Sequence, residues 1–369
     1  MINKTKNEFI FDNVFIEEKF KENKNIEIIL SKIKSNYKLH YINDNKKILK
    51  TIPKSHPGDI SKNLLLSGIR GEILRKCPGT NGHICCNYYV INLYVGCPIE
   101  CSYCILQSYL NEPLTIINID IDNIFEKLHN TFVENSHKLY RVGTGELGDS
   151  LVYDYLTDYS LKFIEFFSDY KNAIFEFKTK TNNINNLLKI KSPGNIVVGF
   201  SMNPQSIIDS EELFAASLEE RLNAMKSLVE KNYKIAIHFD PIINIPNFKD
   251  EYSILIDKIF QFIKPENIAW ISLGTFRYTP DLKSCIEYNY PKTKILLDQF
   301  IIDQDKKFRY FKPIRINLYQ TVIRSLKKIN EDLPIYLCME SVEVWKKTLG
   351  YLPNEKSKIN LIFKNMVNL

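Results

Sequence analysis

Cys97, Cys101 and Cys104 stand at C-x3-C-x2-C spacing, directly after an apolar run, Tyr88–Tyr94, that reads as a β-strand. Three thiols this close must share one loop, and a loop leaving a strand is where parallel α/β folds gather their chemistry. An iron–sulfur cube normally takes four thiolates, so three from one loop bind three irons and leave the fourth open to another ligand. The competing assignment is half of a zinc site. Zinc sites usually pair two Cys-x2–4-Cys knuckles or add nearby histidines, and no such histidine pair follows here.

The compartment decides how cysteines are read. The chain has eight of them in 369 residues. Its first residues, Met-Ile-Asn-Lys-Thr-Lys-Asn-Glu, lack the apolar core of a signal peptide. No stretch approaches the roughly 18 apolar residues of a membrane span. A cytoplasmic protein with no membrane partner is therefore expected, in which clustered cysteines point to metal rather than disulfides. The 44% hydrophobic and 25% charged fractions are those of an ordinary globular protein. A net charge of +6 is compatible with a polyanionic partner without requiring one.

Residues 1–75 read as a charged N-terminal region with a helix at Ile26–Ile33 and a basic stretch, Lys46, Lys47, Lys50 and Lys54. That stretch is either a solvated face or a binding patch, with the solvated face favoured. From residue 76 to 300 strand-like and helical runs alternate. The strands are Tyr88–Tyr94, Leu139–Val142, Ile174–Phe177, Ile196–Phe200, Ile235–Phe239 and Ile268–Leu273. The helices are Ile121–Val133, Leu161–Phe167, Ile184–Leu188, Leu213–Glu230 and Tyr252–Phe262. Alternation of this kind implies parallel βαβ units. The expected fold is α/β, a partial (β/α)6 TIM-like barrel with N- and C-terminal extensions. Residues 301–369 add a helix (Asn317–Ile329), a strand (Ile335–Leu337) and a short helix near Val342–Lys347. They also interleave Lys306, Lys307, Arg309, Lys312 and Arg315 with Phe308, Tyr310, Phe311 and Tyr319. Such a mixture either tracks phosphates and stacks bases or is a packed surface with snorkelling side chains.

Polar residues recur at successive strand ends. Gly143-Thr-Gly145-Glu146-Leu-Gly-Asp149-Ser150 follows one strand, Lys178-Thr-Lys180-Thr-Asn182 the next, and Ser201-Met-Asn203 the one after. His238-Phe-Asp240-Pro241 and Thr275-Phe-Arg277-Tyr278 complete the series. Glycines let backbone approach a ligand closely, and five polar strand ends in a row describe an active-site rim better than five independent loops. His238 reads equally as a proton donor or substrate ligand and as a hydrogen-bonded structural histidine.

The cysteine spacing after a strand resembles the radical S-adenosylmethionine superfamily. A narrower resemblance, to the spore photoproduct lyase family, runs from about residue 90 to 310. It rests on Cys101-Ser-Tyr103-Cys104-Ile-Leu-Gln-Ser-Tyr-Leu110, Phe177-Lys-Thr-Lys180, Phe200-Ser-Met-Asn203, Phe276-Arg277-Tyr278 and Tyr290-Pro-Lys-Thr-Lys294, in order and with spacing kept. The resemblance implies a [4Fe-4S] cluster on Cys97, Cys101 and Cys104, and S-adenosyl-L-methionine held by Gly143, Gly145, Glu146, Lys180, Ser201 and Asn203. Glu146 would meet the cofactor's ammonium group. Glu146, Tyr103, Arg277 and Tyr278 would serve catalysis, with Arg277 and Tyr278 facing the substrate. It further implies DNA repair, with a thymine dimer lesion as substrate, and a reductant such as flavodoxin or ferredoxin.

Two departures set this chain apart. The family's lyase has a hydrogen-donating cysteine in the stretch that aligns with Gly143–Ser150, where this chain has Glu146 and no cysteine. A carboxylate has no S–H bond to give. The tyrosine that follows the third cluster cysteine is replaced by Ile105. A different substrate, such as a modified nucleotide or peptide, therefore stays open beside the lesion. Cys77, Cys85 and Cys86 match no element of the lyase and read as a second metal site, a relocated hydrogen donor or packed thiols. Cys285 and Cys338 read as structural.

Overall fold

The computed structural model describes residues 9–43, 62–79, 82–110 and 114–351. Its centre is a curled sheet of seven parallel strands in chain order: β1 (Tyr88–Val90), β2 (Tyr140–Gly143), β3 (Ala173–Thr179), β4 (Ile196–Ser201), β5 (Lys234–Ile242), β6 (Ile268–Thr275) and β7 (Ile335–Leu337). The two-residue strand Arg75–Lys76 caps the β1 edge in antiparallel pairing. Sequential order is the signature of successive βαβ units wound in one direction. The six expected strands are all present, and the strand of the C-terminal segment joins them by pairing Ile271–Leu273 with Ile335–Leu337.

The strands form because both faces of the sheet are covered. β4, Ile-Val-Val-Gly-Phe-Ser, is buried at every position, as a parallel strand lying under helices requires. The helix Ile121–Glu134 places Ile121, Ile124, Leu128 and Phe132 on one buried stripe. Each such fully buried side chain contributes roughly 1.5–3 kcal/mol relative to exposure.

Three sequence expectations change. The run at Tyr88–Tyr94 is two strands. Tyr88–Val90 belongs to the barrel, while Tyr94–Val95 pairs antiparallel with Thr115–Asn118 in a second sheet. That second sheet explains the N-terminal region, since Asn13–Glu17, Lys38–Ile42, Asn63–Ser67 and Thr115–Asn118 are its parallel strands. The helix expected from Leu213 starts at Leu218, where Ser217 and Glu220 form a capping box. Ile184–Leu188 gives only a short 3-10 turn at Leu187–Lys189. The basic stretch Lys46, Lys47, Lys50 and Lys54 lies outside the described residues. Among the described residues no helix is long and apolar enough to cross a membrane.

A polar layer built by all seven strands fills the lower lumen. The Arg141 guanidinium lies 4.7 Å from the Tyr88 ring, 4.3 Å from the Trp270 ring and 5.2 Å from the Tyr336 ring. It donates to the Tyr336 hydroxyl at 2.8 Å and lies 3.6 Å from Glu176. Glu176 accepts from His238 Nε2 at 2.7 Å and from Trp270 Nε1 at 3.2 Å. Gly199 leaves the space, because a β-carbon there would sit 2.6 Å from Glu176 Oε1 and 2.8 Å from His238 Nε2. Burial, then the charge of Lys178, hold His238 below its ordinary pKa. A neutral ring that carries its proton on Nε2 is what an accepting carboxylate needs.

Burial alone would raise the Glu176 carboxyl, but His238 and Arg141 beside it bring it down to about 2 from an ordinary 4.5. A depressed carboxyl contributes stability that is present above its unfolded-state pKa and lost as pH falls through the folded one. The chain should therefore lose stability between pH 4.5 and about pH 2, and Glu176→Gln should flatten that part of the curve. Urea unfolding measured across this interval checks it, and an unchanged slope in the variant would contradict it.

Candidate functional site

The cluster loop is clamped through its backbone. Gly96 takes φ +93° and Glu100 φ +53°, turning the chain sharply after Tyr94–Val95. Segment 99–102 then runs antiparallel to segment 211–214. Ser102 N–H donates to the Glu211 carbonyl at 2.8 Å, Phe214 N–H to the Ile99 carbonyl at 3.0 Å, and Cys101 bridges Glu212. Side chains repeat the clamp, with the Ser102 hydroxyl donating to Glu211, which also accepts from Thr293 at 2.7 Å.

Glu212 is the hub of the site. Its side chain is wholly buried and accepts from four groups at once. Tyr103 donates its hydroxyl proton and Arg221 its Nη2 proton. Lys180 Nζ donates at 3.2 Å and Asn203 Nδ2 at 3.1 Å. Lys180 also reaches the Tyr103 hydroxyl at 3.0 Å, and Arg221 binds the Ser201 carbonyl at 2.7 Å. Burial acts to raise the Glu212 carboxyl, but the Arg221 and Lys180 charges outweigh it and hold the group far below the usual carboxylate range. Tyr103, Lys180, Ser201 and Asn203, four of the residues singled out in the sequence, are thus joined by a glutamate and an arginine that were not.

A second wall is made by the loop after β2. Asp149 is buried and accepts from Thr179 Oγ1 at 2.8 Å, from Leu151 N–H at 2.9 Å and from Lys180 N–H at 2.7 Å. Gly96 N–H donates to the Leu147 carbonyl at 2.9 Å, tying this wall to the cluster loop. The glycines here admit protein rather than open space. A β-carbon on Gly143 would lie 1.6 Å from the Tyr88 hydroxyl, and one on Gly145 would lie 2.8 Å from the Lys178 β-carbon. Glu146 forms an ion pair with Arg75 of the edge strand.

The remaining candidates lie apart from the hub. His238 belongs to the lower polar layer. Arg277 donates to Asp240 at 3.3 Å and to the Thr275 carbonyl at 3.1 Å on the opposite side of the mouth. Tyr278 is buried in an aromatic cluster, 5.1 Å from Phe308 and 4.9 Å from Phe300. Burial pushes its hydroxyl up to about 12. The basic and aromatic C-terminal residues are largely packing. Arg309 is buried against Asp305 at 2.6 Å, and Arg315 against Glu340 at 3.2 Å. The hydroxyls of Tyr310 and Tyr319 accept backbone protons of Asn244 and Thr275. Ile105 is exposed.

The donor set fits an iron–sulfur cluster. Burial pushes the thiols of Cys97, Cys101 and Cys104 upward; Cys101 also feels the other two cluster thiols, and Cys97 feels Cys104. Three thiolates there need the positive charge of a metal. Beside them the buried Tyr290 hydroxyl, which feels Cys101 and Cys104, has no hydrogen-bond partner among the described residues.

Removing Glu212 leaves Arg221 buried without its counter-charge. Glu212→Ala should cost about 3–5 kcal/mol of stability, the usual consequence of breaking a buried pair from one side. Denaturant unfolding measures it, and wild-type stability would contradict the hub.

A family model described as "Spore photoproduct lyase" matches residues 16–333. The spore photoproduct lyase of Clostridium acetobutylicum is 25% identical over 252 residues, covering 68% of this chain and 71% of that one. The spore photoproduct lyase of Bacillus subtilis is 26% identical over 215 residues, covering 57% of this chain and 63% of that one. Among solved structures, a spore photoproduct lyase double mutant with bound AdoMet and dinucleoside spore photoproduct superposes with a TM-score of 0.79 at 21% identity, over 89% of this chain and 99% of that one. A spore photoproduct lyase complexed with dinucleoside spore photoproduct gives 0.77 at 21% identity with the same coverage. The family match across most of the chain and the shared curled barrel agree with the cluster loop and its clamp: the chain belongs to the spore photoproduct lyase family of the radical S-adenosylmethionine superfamily.

Proposed function

We propose that this protein uses a [4Fe-4S] cluster and S-adenosyl-L-methionine to repair a thymine dimer lesion of the spore photoproduct type in DNA. The observation that carries the reading is the Glu212 hub, which joins the cluster loop to the two strand ends named for the cofactor. When bound, the reduced cluster and S-adenosylmethionine supply a 5′-deoxyadenosyl radical that takes a hydrogen atom from the substrate. Cys97, Cys101 and Cys104 hold the cluster. Lys180, Ser201, Asn203 and the Gly143–Glu146 loop hold the cofactor, with Glu212 fixing Lys180 and Tyr103 before it arrives. Preorganisation of this kind removes an ordering cost from binding. The mouth, with Arg277 on its far side, receives the lesion, which must leave the base stack to reach it. A flavodoxin or ferredoxin supplies the electron.

The missing donor cysteine has a candidate replacement. Cys77 is fixed beside β1 by its N–H bond to the Tyr88 carbonyl at 2.8 Å, and its thiol feels Glu146 and Lys178. Burial raises that thiol, keeping it protonated at neutral pH. A hydrogen atom comes from S–H and not from a thiolate, so this environment suits donation. Cys77 therefore serves as donor in place of the absent cysteine of the Gly143–Ser150 loop.

Anaerobically reconstituted, chemically reduced protein should release 5′-deoxyadenosine and convert a dinucleotide spore photoproduct to two thymines. Cys101→Ala should abolish both activities. Cys77→Ser should keep 5′-deoxyadenosine release while diverting the lesion to products other than two thymines. Release of 5′-deoxyadenosine with the lesion unchanged would favour the different substrate, a modified nucleotide or peptide, that the absent cysteine leaves open.

A further inference from the structure

The barrel mouth holds a cation that its own carboxylates do not use. Lys178 lies two residues beyond Glu176 on β3, so both side chains leave the strand on its lumen face, Lys178 nearer the C-terminal rim. Its backbone and β-carbon are held against the loop after β2. Lys178 N–H donates to Ser150 Oγ at 2.9 Å, and its carbonyl accepts from Ser150 N–H at 3.0 Å. Gly145 is a glycine where a β-carbon would come within 2.8 Å of the Lys178 β-carbon. The tip is different. Among the described residues Lys178 Nζ makes no hydrogen bond or ion pair, whereas Lys180, two positions on, is tied to Tyr103 and Glu212.

The acids within its reach are already engaged. Asp240 is paired with Arg277 at 3.3 Å and Glu176 with His238 at 2.7 Å. The Lys178 charge is nonetheless felt by Asp240, His238, Cys77 and Cys338, which places it inside the mouth rather than on the outer surface. Lys307 pairs with Asp305 at 3.8 Å, yet burial and then the like charge of Arg277 hold it below its ordinary pKa. The mouth is therefore short of negative charge. Lys178 is only partly exposed, and an ammonium whose neighbouring carboxylates are already paired is free to take an anionic ligand.

We propose that Lys178 is the subsite for the phosphodiester that links the two nucleosides of the lesion. An ammonium is a compact charge with three donors and no acceptor, suited to a phosphate oxygen. The assignment rests on the lesion reading for its substrate class. It goes beyond that reading by naming the residue that senses whether the two nucleosides are joined.

The test compares equilibrium binding of two probes, dinucleotide and dinucleoside spore photoproduct, to the full-length, anaerobically reconstituted protein. Wild-type protein should prefer the dinucleotide, and rising salt should erase that preference. Lys178→Met should weaken dinucleotide binding by about 10- to 100-fold, the scale of one charge-assisted hydrogen bond, and leave dinucleoside binding unchanged. Lys178→Arg should restore most of the loss. Because Nζ has no hydrogen-bond or ion-pair partner among the described residues, Lys178→Met should melt at or above the wild-type temperature, and a large drop would instead assign Lys178 a structural role. Equal losses for both probes would place the ammonium on a base and overturn the phosphate assignment, as would an unchanged dinucleotide affinity. Wild-type protein that binds neither probe would sink the lesion reading itself, which separates that failure from failure at Lys178.

Discussion

One buried carboxylate, Glu212, holds the working parts of this protein in register. It ends the helix Gln205–Glu211 that follows β4 and pairs backbone-to-backbone with the cluster loop. Its two oxygens then collect a tyrosine from the cluster loop, a lysine from beyond β3, an asparagine from beyond β4 and an arginine from the following helix. A buried carboxylate is expensive unless its lone pairs are filled, and here they are filled by donors from four separate segments. The cost of burial thus becomes a constraint on geometry, because none of the four segments can shift without exposing an unmet charge.

The lumen divides into two levels with different rules. Below, Tyr88, Arg141, Glu176, His238, Trp270 and Tyr336 form a charge-balanced layer, with Gly199 as the space that lets it close. Its groups serve one another, and the depressed Glu176 carboxyl measures how well they do so. Above, at the C-terminal rim, the balance fails on purpose: Lys180 is held by Glu212, Arg277 by Asp240, and Lys178 by nothing in the described chain. Parallel barrels place chemistry at this end because the strand-to-helix loops can vary there without disturbing the core.

The period of the sequence made the barrel legible. Continuous apolar runs such as Ile-Val-Val-Gly-Phe read as parallel strands because burial on both faces leaves no alternation to confuse them. The cysteine spacing and the Phe-Lys-Thr-Lys and Phe-Ser-Met-Asn strand ends were legible for the same reason, since function there sits next to a strong structural signal. The N-terminal sheet was hidden because its strands are short and far apart in the sequence. Glu212 was hidden too. It lies just before a helix whose sequence pattern extends back to Leu213, and nothing in that pattern marks it. Only the capping box at Ser217, together with the pairing of Phe214 to Ile99, shows that the helix starts later. Arg221 and Glu176 are charged residues in fully buried positions, which pattern alone assigns to the surface. Arg309 and Arg315, whose setting among aromatics left a nucleic-acid face and a packed surface both open, are paired inside the protein.

On the proposed function, Ile105 and the cysteine-free Gly143–Ser150 loop set the return of hydrogen apart from radical generation at Cys97, Cys101 and Cys104. The most direct measurement follows hydrogen itself. Reduced, reconstituted protein is given S-adenosylmethionine and a spore photoproduct deuterated throughout its thymine bases, and the released 5′-deoxyadenosine is weighed by mass spectrometry. Repair of the lesion through a radical made at the Glu212-held site predicts deuterium in 5′-deoxyadenosine, accompanied by the repaired species with its two thymine residues restored. Unlabelled 5′-deoxyadenosine released beside an intact lesion would contradict it.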